Sequence, residues 1–280
     1  MHHWVFFIDR HAGSLELQLF TVVLLICWNI ENIAGFIADY RKWNHAFVNS
    51  KFAITNVPMQ FVLGLAFARV MQWTHLHHFG FLYYLPFHKH YILLFITTFV
   101  FLDLVEYVYH VVMHKVKRLW MFHAVHHSDH VVDVSTTIRE HPGESLIRLL
   151  FTLLFVFLSG TLFWMLVFRQ IIQVVTTLFA HMNYELPPKA NYLLGLVFIT
   201  PNLHHVHHHY KKPETDSNYG DVLSIWDRLF GTFKTMTPRN VVFGVDTFMD
   251  RKETESFLSL LKIPFGKYRD PNKLKRESAK

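Results

Sequence analysis

Long apolar runs divide the chain before any motif does. Leu15 to Ala38, Phe52 to Trp73 and Tyr91 to Met113 each supply about the 20 mostly apolar residues that a membrane-crossing helix needs. The first run is interrupted by Asn29, Glu31 and Asn32, and the last turns of the third become polar. Leu146 to Met182 is too long for one crossing and carries Ser159-Gly160 near its middle, which predicts a tight helical hairpin that enters and leaves on one side. Tyr192 to Thr200 is too short to cross and predicts an element lying in the interface. The expected fold is an all-α integral membrane protein with about three spanning helices plus a helical hairpin, capped by a cytosolic histidine-rich domain.

Charge assigns the sides. Residues 40–51 carry Arg41, Lys42 and Lys51, whereas residues 74–90 carry only Lys89. Cationic loops stay on the cytosolic side, so the segment from His110 to Arg148 is expected there after three crossings. The hairpin then returns the chain to the same side, together with His181 and everything after it. The N-terminus lacks the pattern of a cleavable signal: Trp4 to Ile8 is aromatic and is followed by Asp9 and Arg10. With no internal repeat and no low-complexity linker, a single domain 1–280 is expected: spans in 1–101, a histidine-rich core in 102–233 and a basic cytosolic tail in 234–280.

Composition agrees with a membrane protein. Hydrophobic residues make up 51% of the chain and charged residues 17%, against about 25% charged in a soluble domain. The net charge is +6, and the last 80 residues hold 14 Lys+Arg against 10 Asp+Glu. Basic residues attached to spans suit anionic lipid headgroups and argue against nucleic acid. Cys27 is the sole cysteine, so an intrachain disulfide, a zinc–thiolate site and an iron–sulfur cluster are excluded.

The chemistry lies in the histidines. The chain has 22, of which 13 fall between His110 and His209. His110-x3-His114, His123-x2-His126-His127 and His204-x2-His207-His208 are spaced three and four apart, which aligns each set along one helical stripe. His181 stands alone upstream of the third set. The nine imidazoles exceed what one ion uses, so two ions are expected, each with an open position. Imidazole suits zinc, copper, iron and nickel alike. A site facing unreactive lipid C–H bonds calls for a redox metal and dioxygen. Isolated histidines such as His45 and His130 are expected to be surface or hydrogen-bonded residues. His75, His77, His78, His88 and His90 are expected on the opposite face, apart from the centre.

Around these sets the chain resembles the fatty acid hydroxylase/sterol desaturase superfamily of membrane di-iron oxygenases, over roughly Leu102 to Phe233. The likeness rests on Asp103, Tyr107 and His110 in the first box, on Trp120 to Ser128 in the second, and on Thr200-Pro201-Asn202 leading into the third. Asn218-Tyr219-Gly220 and Trp226-Asp227-Arg228 match its closing signature, and Asp133 to Glu144 is similar to the bacterial sterol-desaturase-like and alkylglycerol-monooxygenase-like branches. The resemblance implies metal ligation by His110, His114, His123, His126, His127, His181, His204, His207 and His208. It leaves open a second register for the third box through His205 and His209, and a carboxylate ligand at Glu185. Val111 departs from the arginine that many members carry after the first histidine.

The resemblance further implies two iron ions, replaceable by zinc on isolation, and O2 as co-substrate. Hydroxylation of a lipid C–H bond in a sterol, fatty acyl or ether lipid is expected, with desaturation by the same centre as the alternative. Asp103, Glu106, Glu140 and Asp227 are the expected hydrogen-bond partners of the ligating rings. Electrons would come from a separate ferredoxin, cytochrome b5 or reductase, because the chain has no dinucleotide fingerprint and His141-Pro142-Gly143 is only a fragment of a haem loop. A bacterial inner membrane is favoured over an endoplasmic reticulum. Two rivals remain: a non-enzymatic membrane metal carrier, which would spread its ligands along a path, and a zinc hydrolase, which would need an HExxH motif that is missing here.

Overall fold

A computed structural model describes residues 2–269. The end of the basic segment, 270–280, and the side chains of the aromatic stretch Trp4 to Ile8 lie outside the described residues. The described chain is helical, with two isolated β-bridges and no strand. Five helices are long and apolar enough to cross a membrane. They are α1 (His2–Ala34), α2 (Lys42–Leu76), α3 (Tyr91–Lys115), α5 (Pro142–Ser159) and α6 (Phe163–Ala180), with the short α4 (Lys117–His127) between α3 and α5. This is the expected arrangement of three spans and a hairpin. α1 packs against α6, α2 against α5, and α3 against both hairpin arms.

Helix periodicity sorts lipid-facing from bundle-facing positions. On α5, Leu146, Leu150, Leu154 and Leu158 are exposed, while Ser145, Thr152, Val156 and Ser159 are buried. Small residues on the inner face let helices approach closely without water to drive them together. Phe67, Met71, Leu102, Val156 and Leu166 form the shared core of α2, α3, α5 and α6.

The hairpin turns at Gly160, whose φ of +71° closes α5. A Cβ there would stand 2.3 Å from the Phe79 carbonyl oxygen, so both the backbone angle and the contact demand glycine. Gly160→Ala is therefore expected to cost at least about 1 kcal/mol, read as a lower unfolding temperature in detergent. A variant as stable as the parent would contradict this.

Two elements differ from their sequence expectation. α2 begins at Lys42, well before Phe52. The added turns carry His45 and Asn49 to the second box, where the His45 ring sits between Asp129 (2.7 Å) and Asp133 (3.0 Å). The polar interruption in α1 also has a structural use: Glu31 Oε1 accepts the backbone N–H groups of Val134 and Asn183 at 2.7 and 2.8 Å, and Oε2 pairs with Lys42 at 2.9 Å. The basic segment after residue 234 is built into the fold, since Val245, Phe248, Leu260 and Ile263 pack with Phe52, Met121 and Val125.

Short helices complete one end of the bundle. They are α7 (Pro188–Gly195), α8 (Pro201–His207) and α9 (Ile225–Leu229). α7 and the residues after it expose Tyr192, Leu193, Leu196 and Phe198 and do not cross.

Candidate metal centre

All nine histidines, eight marked by spacing and His181 by the resemblance, converge at that end. They form two adjacent groups, one of His110, His114, His123, His127 and His207, the other of His126, His181, His204 and His208. His110 and His114 occupy the last turns of α3, Val116 turns the chain, and α4 folds back against them. α8 is started by Thr200, whose Oγ1 accepts the Leu203 N–H, with Pro201 in the first turn.

The single stripe of the second box, and likewise of the third, serves both groups rather than one. His123 and His127, four apart, serve the first group, and His126 serves the second. The third box mirrors the second: His204 and His208 serve the second group and His207 the first. Each HxxHH box straddles both groups because its stripe lies between them. His127 stacks on His208 across the divide, ring centroids 4.5 Å apart.

The rings turn Nε2 inward. His123 Nε2 lies 3.0 Å from His110 Nε2 and 3.2 Å from His127 Nε2. His204 Nε2 lies 2.9 Å from His181 Nε2 and 3.1 Å from His208 Nε2, and His181 Nε2 lies 3.1 Å from His126 Nε2. Four of the outward nitrogens are tied down. His110 Nδ1 donates to the Tyr219 carbonyl (2.9 Å), His181 Nδ1 to that of Thr177 (2.8 Å), and His207 Nδ1 to that of Ser217 (2.8 Å). His123 Nδ1 donates to Glu144 Oε1 at 2.6 Å. With their protons committed outward, neutral His110 and His123 point bare lone pairs at each other. A cation between them turns that repulsion into ligation, so the residues fit a bound metal.

Electrostatics favour the ligating form. Burial holds His181 down at about 4 and His207 at about 3. Burial, and after it the neighbouring imidazoles, also lowers His126, His127, His204 and His208. Neutral imidazoles are therefore maintained at physiological pH, with lone pairs free for a metal.

The alternative candidates fall outside. His205 packs between Phe36 and Phe243, His209 Nδ1 accepts the Val242 N–H, and Glu185 is exposed. None joins either group. His75, His77, His78, His88 and His90 are exposed at the other end of the bundle. His90 caps the start of α3, which places it about 30 Å along that helix from His110.

A sequence profile described as fatty acid hydroxylase matches residues 95–232. Residues 95–232, just under half of the chain, form a fatty acid hydroxylase domain. An ornithine lipid hydroxylase of Rhizobium tropici is 32% identical over 161 residues, covering 58% of this chain and 47% of that protein. Alkylglycerol monooxygenase of Xenopus tropicalis is 34% identical, covering 49% of this chain and 29% of its own length. The human alkylglycerol monooxygenase is 29% identical, covering 53% and 32%. The chain thus spans about half the length of the first of these relatives and about a third of the others. No solved structure matches it.

The residues that carry the superfamily likeness also fix the geometry. Asp103 accepts from the Val222 and Leu223 backbone and from Trp226 Nε1 (2.8 Å). Asp227 accepts from the Tyr219 and Gly220 backbone at 2.7 and 2.9 Å. Neither touches a histidine; together they hold the loop whose Tyr219 carbonyl orients His110. Glu106 and Glu140 bind Arg148 instead of a ring. The direct carboxylate partner is Glu144, which the spacing of the boxes did not mark. Its signal was an acid in the first turn of a helix opened by Pro142 and capped by His141, whose Nδ1 accepts the Gly143 N–H. That cap, and no haem loop, is what His141-Pro142-Gly143 builds. Asp216 lies 3.4 Å from His114 Nδ1.

A cavity of about 210 Å³ opens on both groups, touching His110 and His123 on one side and His126, His181 and His204 on the other. Its walls come from α1, α3, α5 and α6.

Proposed function

We propose that this chain is a membrane di-iron oxygenase that hydroxylates a lipid. The observation that carries the proposal is the pair of all-histidine groups facing one cavity between spanning helices. Each group would hold one iron through the nine imidazoles.

Bound iron would supply dioxygen activation, and the overall reaction converts a C–H bond, O2, two electrons and two protons into an alcohol and water. The chain's own part is to aim the ligands, hold the substrate carbon against them and exclude water. Glu144 keeps the His123 proton on Nδ1 and so keeps Nε2 free. The electrons would come from a separate ferredoxin, cytochrome b5 or reductase. We place the histidine face in the cytosol, favouring a bacterial inner membrane, because Arg41, Lys42 and Lys51 lie at the same end. Relatives named for ornithine lipid and alkylglycerol make a membrane lipid the expected substrate.

Growing expressing cells under ¹⁸O2 tests the proposal. One ¹⁸O atom should enter a membrane lipid and be lost in His126→Ala; unlabelled lipids in both would contradict it. Glu144→Gln is expected to weaken metal binding or turnover about 10–100-fold, followed by titrating a chelator against the purified protein. Unchanged retention of metal would remove Glu144 from this role.

A further inference from the structure

Charge lies beside the histidine centre that ligation does not use. Ionisable groups within spanning helices are costly and mark paths for polar ligands. Glu106 is one helical turn deeper into α3 than His110, and Arg148 one turn deeper into α5 than Glu144. Four carboxylates line the cavity, those of Glu106, Glu140, Glu144 and Asp221, and Arg148 is the one guanidinium among the lining residues. Of the four, only Glu144 hydrogen-bonds one of the nine histidines. Glu144 Oε2 and Asp221 Oδ2 are buried and accept no hydrogen bond, and the Glu144 side chain is fully buried. Asp221 Oδ1 accepts from Thr177 at a long 3.4 Å, the Gln173 side chain lies beside the carboxylate, and Arg169 stands off at 3.8 Å. Burial, and after it the charge of Glu106, pushes the Asp221 carboxyl above its ordinary range.

An acyl chain or sterol ring placed here would leave these oxygens unmatched in a low-dielectric layer. An ammonium brings three N–H donors and the opposite charge. Size agrees: about 210 Å³ is below the roughly 300–1,000 Å³ that holds a drug-sized molecule, so the cavity takes a headgroup and not a whole lipid. Phe20, Val174 and Leu178 supply an apolar wall for the carbons that follow.

We infer that the cavity receives the amine-bearing headgroup of a lipid, held by Asp221, and presents a carbon in or next to that headgroup to the histidine centre. The inference rests on the oxygenase reading for its chemistry but not for its binding. The test is binding of dioctanoyl phosphatidylethanolamine, its N-acetyl derivative and dioctanoylglycerol to the purified full chain, with metal counted on the same samples. The amine lipid should bind about tenfold tighter or better than the N-acetyl form, and Asp221→Asn should erase that preference. Equal binding of the two headgroups, or tighter binding of dioctanoylglycerol, would overturn the inference even with both metal groups filled. An amine preference in a chain that binds no metal would instead sink the oxygenase proposal and leave this one standing.

Discussion

His123→Ala and His204→Ala are each expected to lose one metal ion, from different groups, and to lower oxygen-dependent lipid oxidation by about 10³-fold or more. His123 is the middle ring of its group, with Nε2 within 3.0–3.2 Å of both His110 and His127. His204 holds the same place between His181 and His208. Removing a middle ring leaves a hole where two ligand pairs met, and alanine brings no replacement donor. Each variant should keep the ion of the other group, while the double variant keeps neither. Metal analysis and turnover on the same preparations check this. Full metal content in either single variant, or turnover near the parent's, would contradict the division into two groups.

The second large effect is on stability. Arg139→Met is expected to cost about 3–5 kcal/mol. Arg139 is 2% exposed, and its guanidinium donates to the Val125 carbonyl (2.9 Å), Asn49 (3.2 Å), Ser128 (3.1 Å) and the Thr254 carbonyl (2.7 Å). One side chain therefore joins α2, the end of α4 and the C-terminal segment. Methionine fills the volume but removes the guanidinium donor from the buried Asn49, Ser128 and Thr254 oxygens and leaves Asp129 with His45 alone as its cationic partner. The end of α4 carries His126 and His127, so metal retention should fall with stability. Thermal unfolding in detergent reads the first effect; a variant melting with the parent would show that the network is dispensable.

The spans, the hairpin at Gly160 and eight of the nine histidines were legible because each depends on local pattern: apolar length, a glycine stop, and spacings of three and four; the lone His181 came from the resemblance. The partition of each HxxHH box was not. Residues on one stripe face the same way, but whether they meet one ion or straddle two depends on which rings come opposite. His207 reaching His127 rather than His126 is a tertiary fact. Glu144 escaped for a similar reason, since its partner His123 lies on another helix and both are brought together by the turn through Asp133. That turn is itself set locally, by the Asp133 side chain accepting the Ser135 N–H and Thr136 Oγ1 accepting the Asp133 N–H. Asp103 and Asp227 were marked as partners of the rings. They act one step away, because a buried carboxylate flanked by free backbone N–H groups is satisfied by them first.

The most direct measurement is iron counted against protein in the full chain purified without oxygen from iron-replete cells. Two irons per chain are expected, one for each histidine group. A chain that holds no iron, or zinc alone with no oxygen uptake under any reductant, would contradict a di-iron oxygenase.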